Sequence, residues 1–174
     1  VVDILASAAT VLAVGAQSSL TGGATPMGEV ILATTKMNGI VDVRPGRITV
    51  EPGVTVAAMQ ERLGEAGAWF PPAPTFTGAC SGGIVATNAA GAATFKYGST
   101  RDWVQALMVV LADGTVLELQ RRNGVTLLVQ SGVTTRQPVS PSATGALLSG
   151  SSTSMKNMSV QMRKPAPGLS SAPI

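Results

Sequence analysis

The chain has 174 residues, of which 45 % are apolar and 3 % aromatic, with a formal net charge of +3. That length suits one domain, or a domain with a tail, and its core must come from Ala, Val, Leu, Ile and Met. One cysteine (Cys80) and no histidine exclude an internal disulfide framework, a Ser-His-Asp triad and an HExxH zinc site.

In chain order, Asp3 to Ala9 reads as a short helix, and VLAV (Val11 to Val14) as a buried strand running into Gly15. Gly15 to Pro26, GAQSSLTGGATP, is a glycine- and hydroxyl-rich loop. VILAT (Val30 to Thr34) is a second apolar strand. IVDV (Ile40 to Val43) and RITVE (Arg47 to Glu51) flank an Arg-Pro-Gly turn and form a hairpin. Thr55 suits a helix N-cap. Val56, Met59, Leu63 and Ala66 then recur at helical spacing, with Gln60, Glu61, Arg62 and Glu65 facing out and Gly67 ending the helix. Ala68 to Phe70 is a short strand stopped by Pro71-Pro72. Gly82 to Ala90 is a short helix opening at a Gly-Gly pair. QALMVVLADGTVLELQ holds two strands around Asp113-Gly114, and Gly124 to Gln130 adds another.

From Ser131 the pattern weakens. The closing run, rich in Ser, Thr, Pro and Gly, reads as loop or disordered. Charge changes there too. Up to Glu118 there are six basic and nine acidic residues (6 − 9 = −3), and beyond it six basic residues and no acid, or +6. The tail could bind nucleic acid or anionic lipid, but its charges are sparse and lack interleaved aromatics, so a solvated tail is the expectation. No apolar run is long enough for a transmembrane span. The apolar start lacks a basic n-region and carries Asp3, which argues against a signal peptide. The expected setting is cytoplasmic or an organellar matrix.

Three segments carry candidate chemistry. The Gly15 to Ala24 loop follows a buried strand. Its peptide N–H groups, with Ser18, Ser19 and Thr21, could cradle a phosphate, or it could simply connect two strands. It is neither a Walker A loop nor a GxGxxG fingerprint. GACSGG (Gly78 to Gly83) precedes Thr87 and Asn88; it could meet a pyrophosphate at a helix N-terminus or be a tight turn. Cys80 within it reads as a small, half-buried residue rather than a reactive thiol or a covalent anchor. Lys96, Tyr97, Arg101 and Asp102 could line a ligand, or form a surface turn with a capping Asp. So many small residues between strands from Pro71 to Thr115 suggest a backbone pressed against a large flat ligand, such as a flavin.

These segments together, from GAQSSLTGGATP through ITVEPGVTVAAMQERL to PPAPTFTGACSGGIVATNAAGAATFKYGSTRDWVQALMVVLADGTVL, resemble the FAD-linked oxidase family. The similarity is to its vanillyl-alcohol oxidase and para-cresol methylhydroxylase type, and within it to the D-lactate dehydrogenase and glycolate oxidase flavin subunit group. It covers roughly Val2 to Leu119. The resemblance implies an α+β FAD-binding domain of two small α/β subdomains with mixed sheets, spanning residues 1–130, with an irregular tail over 131–174. It implies non-covalent FAD, with Gly15, Ala16, Ser18, Ser19, Leu20 and Thr21 around the pyrophosphate. Pro74, Ala79, Cys80, Ser81, Gly82 and Gly83 would line the flavin, followed by Thr87, Asn88, Gly91, Tyr97 and Gly98. Glu51-Pro52-Gly53 matches a strand end beside the domain interface.

The chain departs from the family pattern at Val14, Gln17, Ala73, Cys80 and Ser81. The family's later Gly-Ser-Glu-Gly-Thr-Leu-Gly segment and its histidine-bearing substrate domain are not seen, so truncation is expected. In such enzymes the substrate's α-hydrogen leaves as hydride to the flavin while a base takes the hydroxyl proton. No residue here matches that base, so no catalytic residue is assigned and little turnover is expected. The rival expectation is a non-catalytic subunit or remnant that binds FAD weakly, or not at all, and acts through a partner chain.

Overall fold

Short apolar runs bounded by glycine turns set this fold. The computed structural model describes residues 1–122, 125–130, 138–139 and 154–161. Helix α1 (Val2–Ser7) leads into β1 (Val11–Val14), which pairs in parallel with β2 (Val30–Ala33) through Val11↔Val30 to Val14↔Ala33. The parallel register sends both strands to their C-terminal ends on one side. There the chain enters the loop at Gly15 and the segment starting at Thr34. Thr34 is buried and ties the two ends together: its N–H and its Oγ1 both donate to the Val14 carbonyl, at 2.8 and 3.1 Å.

The hairpin of β3 (Ile40–Arg44) and β4 (Arg47–Val50) forms as its alternation predicts, with Gly46 in the turn at φ 79°. Helix α2 (Val56–Glu65) starts where Thr55 accepts the Ala58 N–H at 3.2 Å, and it buries Val56, Met59 and Leu63. Ala66, expected on the buried face, is exposed. Ala68 to Phe70 is not a strand; only an isolated bridge falls there. The cause is Gln60, expected to face out. Its side-chain amide donates to the Phe70 carbonyl and accepts the Phe70 N–H, at 2.8 and 2.9 Å. One side chain thus satisfies both peptide groups that a neighbouring strand would otherwise take.

Helices α3 (Ser81–Ala86), α4 (Thr94–Tyr97) and α5 (Thr100–Trp103) follow, all short. β5 (Val104–Val110), β6 (Val116–Arg122), β7 (Val125–Gln130), β8 (Pro138–Val139) and β9 (Ser154–Gln161) then build a seven-stranded sheet in the order β3-β4-β9-β5-β6-β7-β8. Every pairing in it is antiparallel. Among the described residues, then, one sheet is parallel and the other antiparallel; neither is mixed.

Two further expectations need correction. The closing run read as irregular contains β9, which bridges β4 and β5 in the middle of the large sheet. Its residues show no apolar period because backbone pairing, not a side-chain stripe, places it. The charge break near Leu119 is also not an element boundary, since β6 runs across it. The expectation of loop over 131–137, 140–153 and 162–174 lies outside the described residues, as does a tail surface for nucleic acid or lipid. The core gathers Ile48, Val50, Val54, Val56, Met59, Leu63, Phe70, Ile84, Val85, Trp103, Leu107, Val109, Leu117 and Leu119 between the helices and the large sheet. The result is a set of helices on small sheets, with two glycine-rich segments held at the ends of the parallel strands.

Candidate functional site

The site forms where two segments far apart in sequence meet. A Cβ placed on Gly15 would lie 3.1 Å from the Cys80 Cβ and 3.5 Å from its sulfur. The Ala16 peptide N–H lies near that sulfur and favours its thiolate. Burial pushes the Cys80 thiol above its ordinary range, and the Ala16 N–H offsets this only in part. Cys80 is 4 % exposed, so it is a fully packed residue where the two loops meet, more buried than the half-buried position expected from the sequence. A Cβ at position 15 would require Cys80 to give by a few tenths of an ångström.

The first loop faces outward. Ala16 through Gly23 are exposed, and Leu20 is fully so. The peptide N–H groups from Gln17 to Thr21 find no acceptor among the described residues. Ser19 Oγ and Thr21 Oγ1 lie 2.9 Å apart and share a hydrogen bond. An exposed run of free donors and hydroxyls in a loop after a parallel strand has the chemistry to receive an anion.

The second segment is used differently. Ser81, at the start of α3, is wholly buried; its N–H donates to Val54 O and its Oγ to Glu51 O, each at 2.8 Å. The Gly82 N–H donates to Pro52 O at 2.8 Å. Two of the three first-turn donors therefore hold the Glu51-Pro52-Gly53-Val54 segment. Only the Gly83 N–H has no partner among the described residues, and a Cβ there would meet open space. A pyrophosphate at this helix start would find one free donor, not three.

The remaining candidates form a chain of contacts behind α3. Thr87 Oγ1 donates to Gly83 O at 2.9 Å. Asn88 adopts φ 48°, and its Oδ1 accepts the Arg101 N–H at 2.9 Å. A Cβ on Gly91 would come within 1.9 Å of the Ala73 carbonyl oxygen, so only glycine lets this turn lie against Ala73 and Pro74. Thr100 Oγ1 donates to Ala89 O at 2.6 Å.

Tyr97 stacks edge-on with Trp69 at 5.2 Å, and its carbonyl accepts the Trp103 indole N–H at 2.8 Å. Gly98 sits just before a capping box, in which Asp102 Oδ2 accepts the Ser99 N–H at 2.8 Å. Asp102 is therefore a capping residue, and no Arg101–Asp102 ion pair is present among the described residues. Among the described residues no hydrogen bond or ring contact links Tyr97 or Gly98 to the first loop.

Three contributors were invisible in the sequence. Thr34 closes the strand ends, Gln60 satisfies Phe70, and Gln17 donates through its side chain to the Ala24 carbonyl at 2.9 Å. A hydroxyl residue ending a buried strand was the one available signal for Thr34. A cavity of about 340 Å³, lined by Leu5, Val11, Leu12, Gly23, Thr25 and Met27 among others, lies toward the N-terminal ends of β1 and β2 and takes in the far end of the first loop. It shares none of the residues around Cys80.

A family model described as FAD binding domain matches residues 1–120. The chain is 36 % identical over 118 residues to a D-2-hydroxyglutarate dehydrogenase of Xanthomonas citri pv. viticola, covering 66 % of this chain and 25 % of that protein. It is 39 % identical over 108 residues to a D-lactate dehydrogenase of Anaerostipes hadrus, covering 60 % and 23 %. It is 35 % identical over 107 residues to the glycolate oxidase subunit GlcD of Bacillus subtilis, covering 59 % and 23 %. The chain thus spans about a quarter of the length of these curated relatives.

The residues present fit FAD. The first loop offers unpaired N–H groups to a diphosphate, and Gly83, three residues after the Cys80 that Gly15 meets, offers open backbone. Exposed Ala16, Gly83 and Thr87 put no bulky side chain in that neighbourhood. Among the described residues no helix is long and apolar enough to cross a membrane, and no cluster of metal-ligating side chains occurs.

Proposed function

The chain belongs to the FAD-binding-domain family, and from that premise we propose that it is the cofactor cradle of a flavin-dependent oxidoreductase acting on a small D-2-hydroxy acid. The meeting of Gly15 and Ala16 with Cys80 supports this reading most strongly. It sets an exposed array of donors beside a segment of small residues, as a dinucleotide with a diphosphate and a flat ring requires. In this reading Gly15, Ala16, Ser18, Ser19, Leu20 and Thr21 hold the diphosphate. Pro74, Ala79, Cys80, Ser81, Gly82 and Gly83 shape the surface along the flavin, and Thr87, Asn88, Gly91, Tyr97 and Gly98 support it from behind. The finer architecture, two small subdomains with FAD along their junction, belongs to the same proposal. So does a division into a cradle over residues 1–130 and a remainder, 131–174, that lends a sheet strand.

Bound FAD would supply a hydride acceptor for the substrate's α-carbon. This chain's own residues bind and orient it; none is assigned to proton removal, since the sequence has no histidine. Substrate contacts and any partner subunit lie outside these residues, and the setting is cytoplasmic or an organellar matrix. Purified chain should bind FAD with a perturbed flavin spectrum and should not oxidise D-lactate with an artificial acceptor. Turnover by the chain alone would contradict the second half of that statement.

A second reading is a weak-binding or non-binding subunit that acts through a partner chain. The consumed donors of Ser81 and Gly82 favour it. FAD that stays unperturbed at saturating chain would select it.

A further inference from the structure

We propose that Gln17 is a positioning residue for FAD, clasping the neck of the first loop so that its peptide N–H groups stand ready for the diphosphate. The inference rests on the reading of Gly15 to Thr21 as the diphosphate cradle. Gln17 and Asn88 are the only non-glycine residues at positive φ among the described residues, and Gln17 sits at 50°. A glycine would adopt that backbone without a steric penalty. Glutamine there is strained, and strain persists where the surroundings over-determine it. The surroundings here are the residue's own side chain, whose Nε2 donates to Ala24 O at 2.9 Å across seven residues.

Residues 16 to 23 are all exposed, so their arrangement depends on hydrogen bonds. The packing of Gly15 on Cys80 fixes the base of the loop. The Gln17 amide closes its neck. Inside the neck, Ser19 Oγ meets Thr21 Oγ1, the Gly22 N–H reaches Ser19 O at 3.4 Å, and the Thr25 N–H reaches Gly22 O at 2.9 Å. These bonds leave the N–H groups from Gln17 to Thr21 unpaired while restricting the backbone that carries them. Ordering the loop in advance lowers the entropy lost when a ligand binds. Glutamine rather than glycine at position 17 thus trades backbone freedom for a clasp.

The test uses the full 174-residue chain with Gln17→Gly and Gln17→Asn. Gln17→Gly relieves the strain and removes the clasp. Gln17→Asn keeps a residue that tolerates positive φ but shortens the side chain by one methylene, out of reach of Ala24 O. FAD and riboflavin are titrated by flavin fluorescence, ADP by calorimetry, and urea unfolding is followed in parallel. Both variants are expected to weaken FAD and ADP about fivefold, as for the loss of one exposed hydrogen bond. Riboflavin affinity and the urea midpoint should not move. Gln17→Gly binding FAD as tightly as the parent, or tighter, would overturn the proposal. So would an equal loss for riboflavin, which marks a global effect. Ser18→Asp separates the two levels. If it weakens FAD while the Gln17 variants do not, only the clasp fails. If it leaves FAD binding intact, the diphosphate reading fails and the clasp with it.

Discussion

The two glycine-rich segments read alike in sequence and do opposite work in the fold. Ala16 to Thr21 is exposed, and its N–H groups from Gln17 onward are unpaired among the described residues. Cys80 to Gly82 is buried or half-buried, and its donors are spent on Pro52, Val54 and Glu51. Glycine in the first segment serves presentation of the backbone; in the second it serves close packing of the chain upon itself. A glycine-rich string therefore marks close approach of a backbone, and only the hydrogen-bond ledger shows whether the approaching group is a ligand or the protein.

Substitutions can break that contrast. The largest effect is expected next to the second segment, at Gly53→Ala. The new methyl would lie 2.1 Å from Thr34 O and 2.7 Å from Met37 O, both backbone atoms that cannot swing away. A loss of about 3 kcal/mol in urea unfolding is expected; a loss under ~1 kcal/mol would show that this junction is loose. Ser81→Ala, which removes a buried hydroxyl and leaves the Glu51 carbonyl to the Val54 N–H alone, should cost about 1 kcal/mol in the same measurement, with FAD affinity of the folded protein nearly unchanged. Ser18→Asp should do the reverse: FAD affinity falls about tenfold through like-charge repulsion, and the unfolding midpoint stays put. If Ser18→Asp destabilises the fold as much as Ser81→Ala, the two segments are not distinct in role.

The smallest effect concerns pH. Burial raises the Cys80 thiol in the folded state, so folding favours the protonated form. That contribution is complete below the ordinary thiol range and is lost as pH rises through the raised folded value. Stability should therefore fall on the alkaline side. Cys80→Ala should flatten that fall while lowering stability at neutral pH, and an unchanged alkaline slope in urea titrations would count against a thiol packed between the loops.

Much of the fold was local and hence legible. VLAV runs straight into Gly15, Thr55 caps a helix whose Val56, Met59 and Leu63 keep their period, and Arg-Pro-Gly closes the Ile40 hairpin. What failed was non-local. Ala68 to Phe70 has strand composition, yet the amide of Gln60, ten residues earlier, takes its peptide groups. Ser154 to Gln161 lacks an apolar stripe, yet the open edges of β4 and β5 recruit it. For the site, the residues of both loops could be named from resemblance. Their contact through Ala16 and Cys80, and the division between free and spent donors, arises from tertiary geometry that no spacing encodes.

The central claim is that an outward-facing donor array, anchored on Cys80, receives FAD. Titrating FAD with the full chain, and following the visible flavin spectrum and fluorescence, tests it most directly. The account predicts saturable binding with a shifted, structured flavin band that Ser18→Asp weakens and Ser81→Ala does not. A flavin spectrum that remains that of free FAD at saturating protein would contradict it.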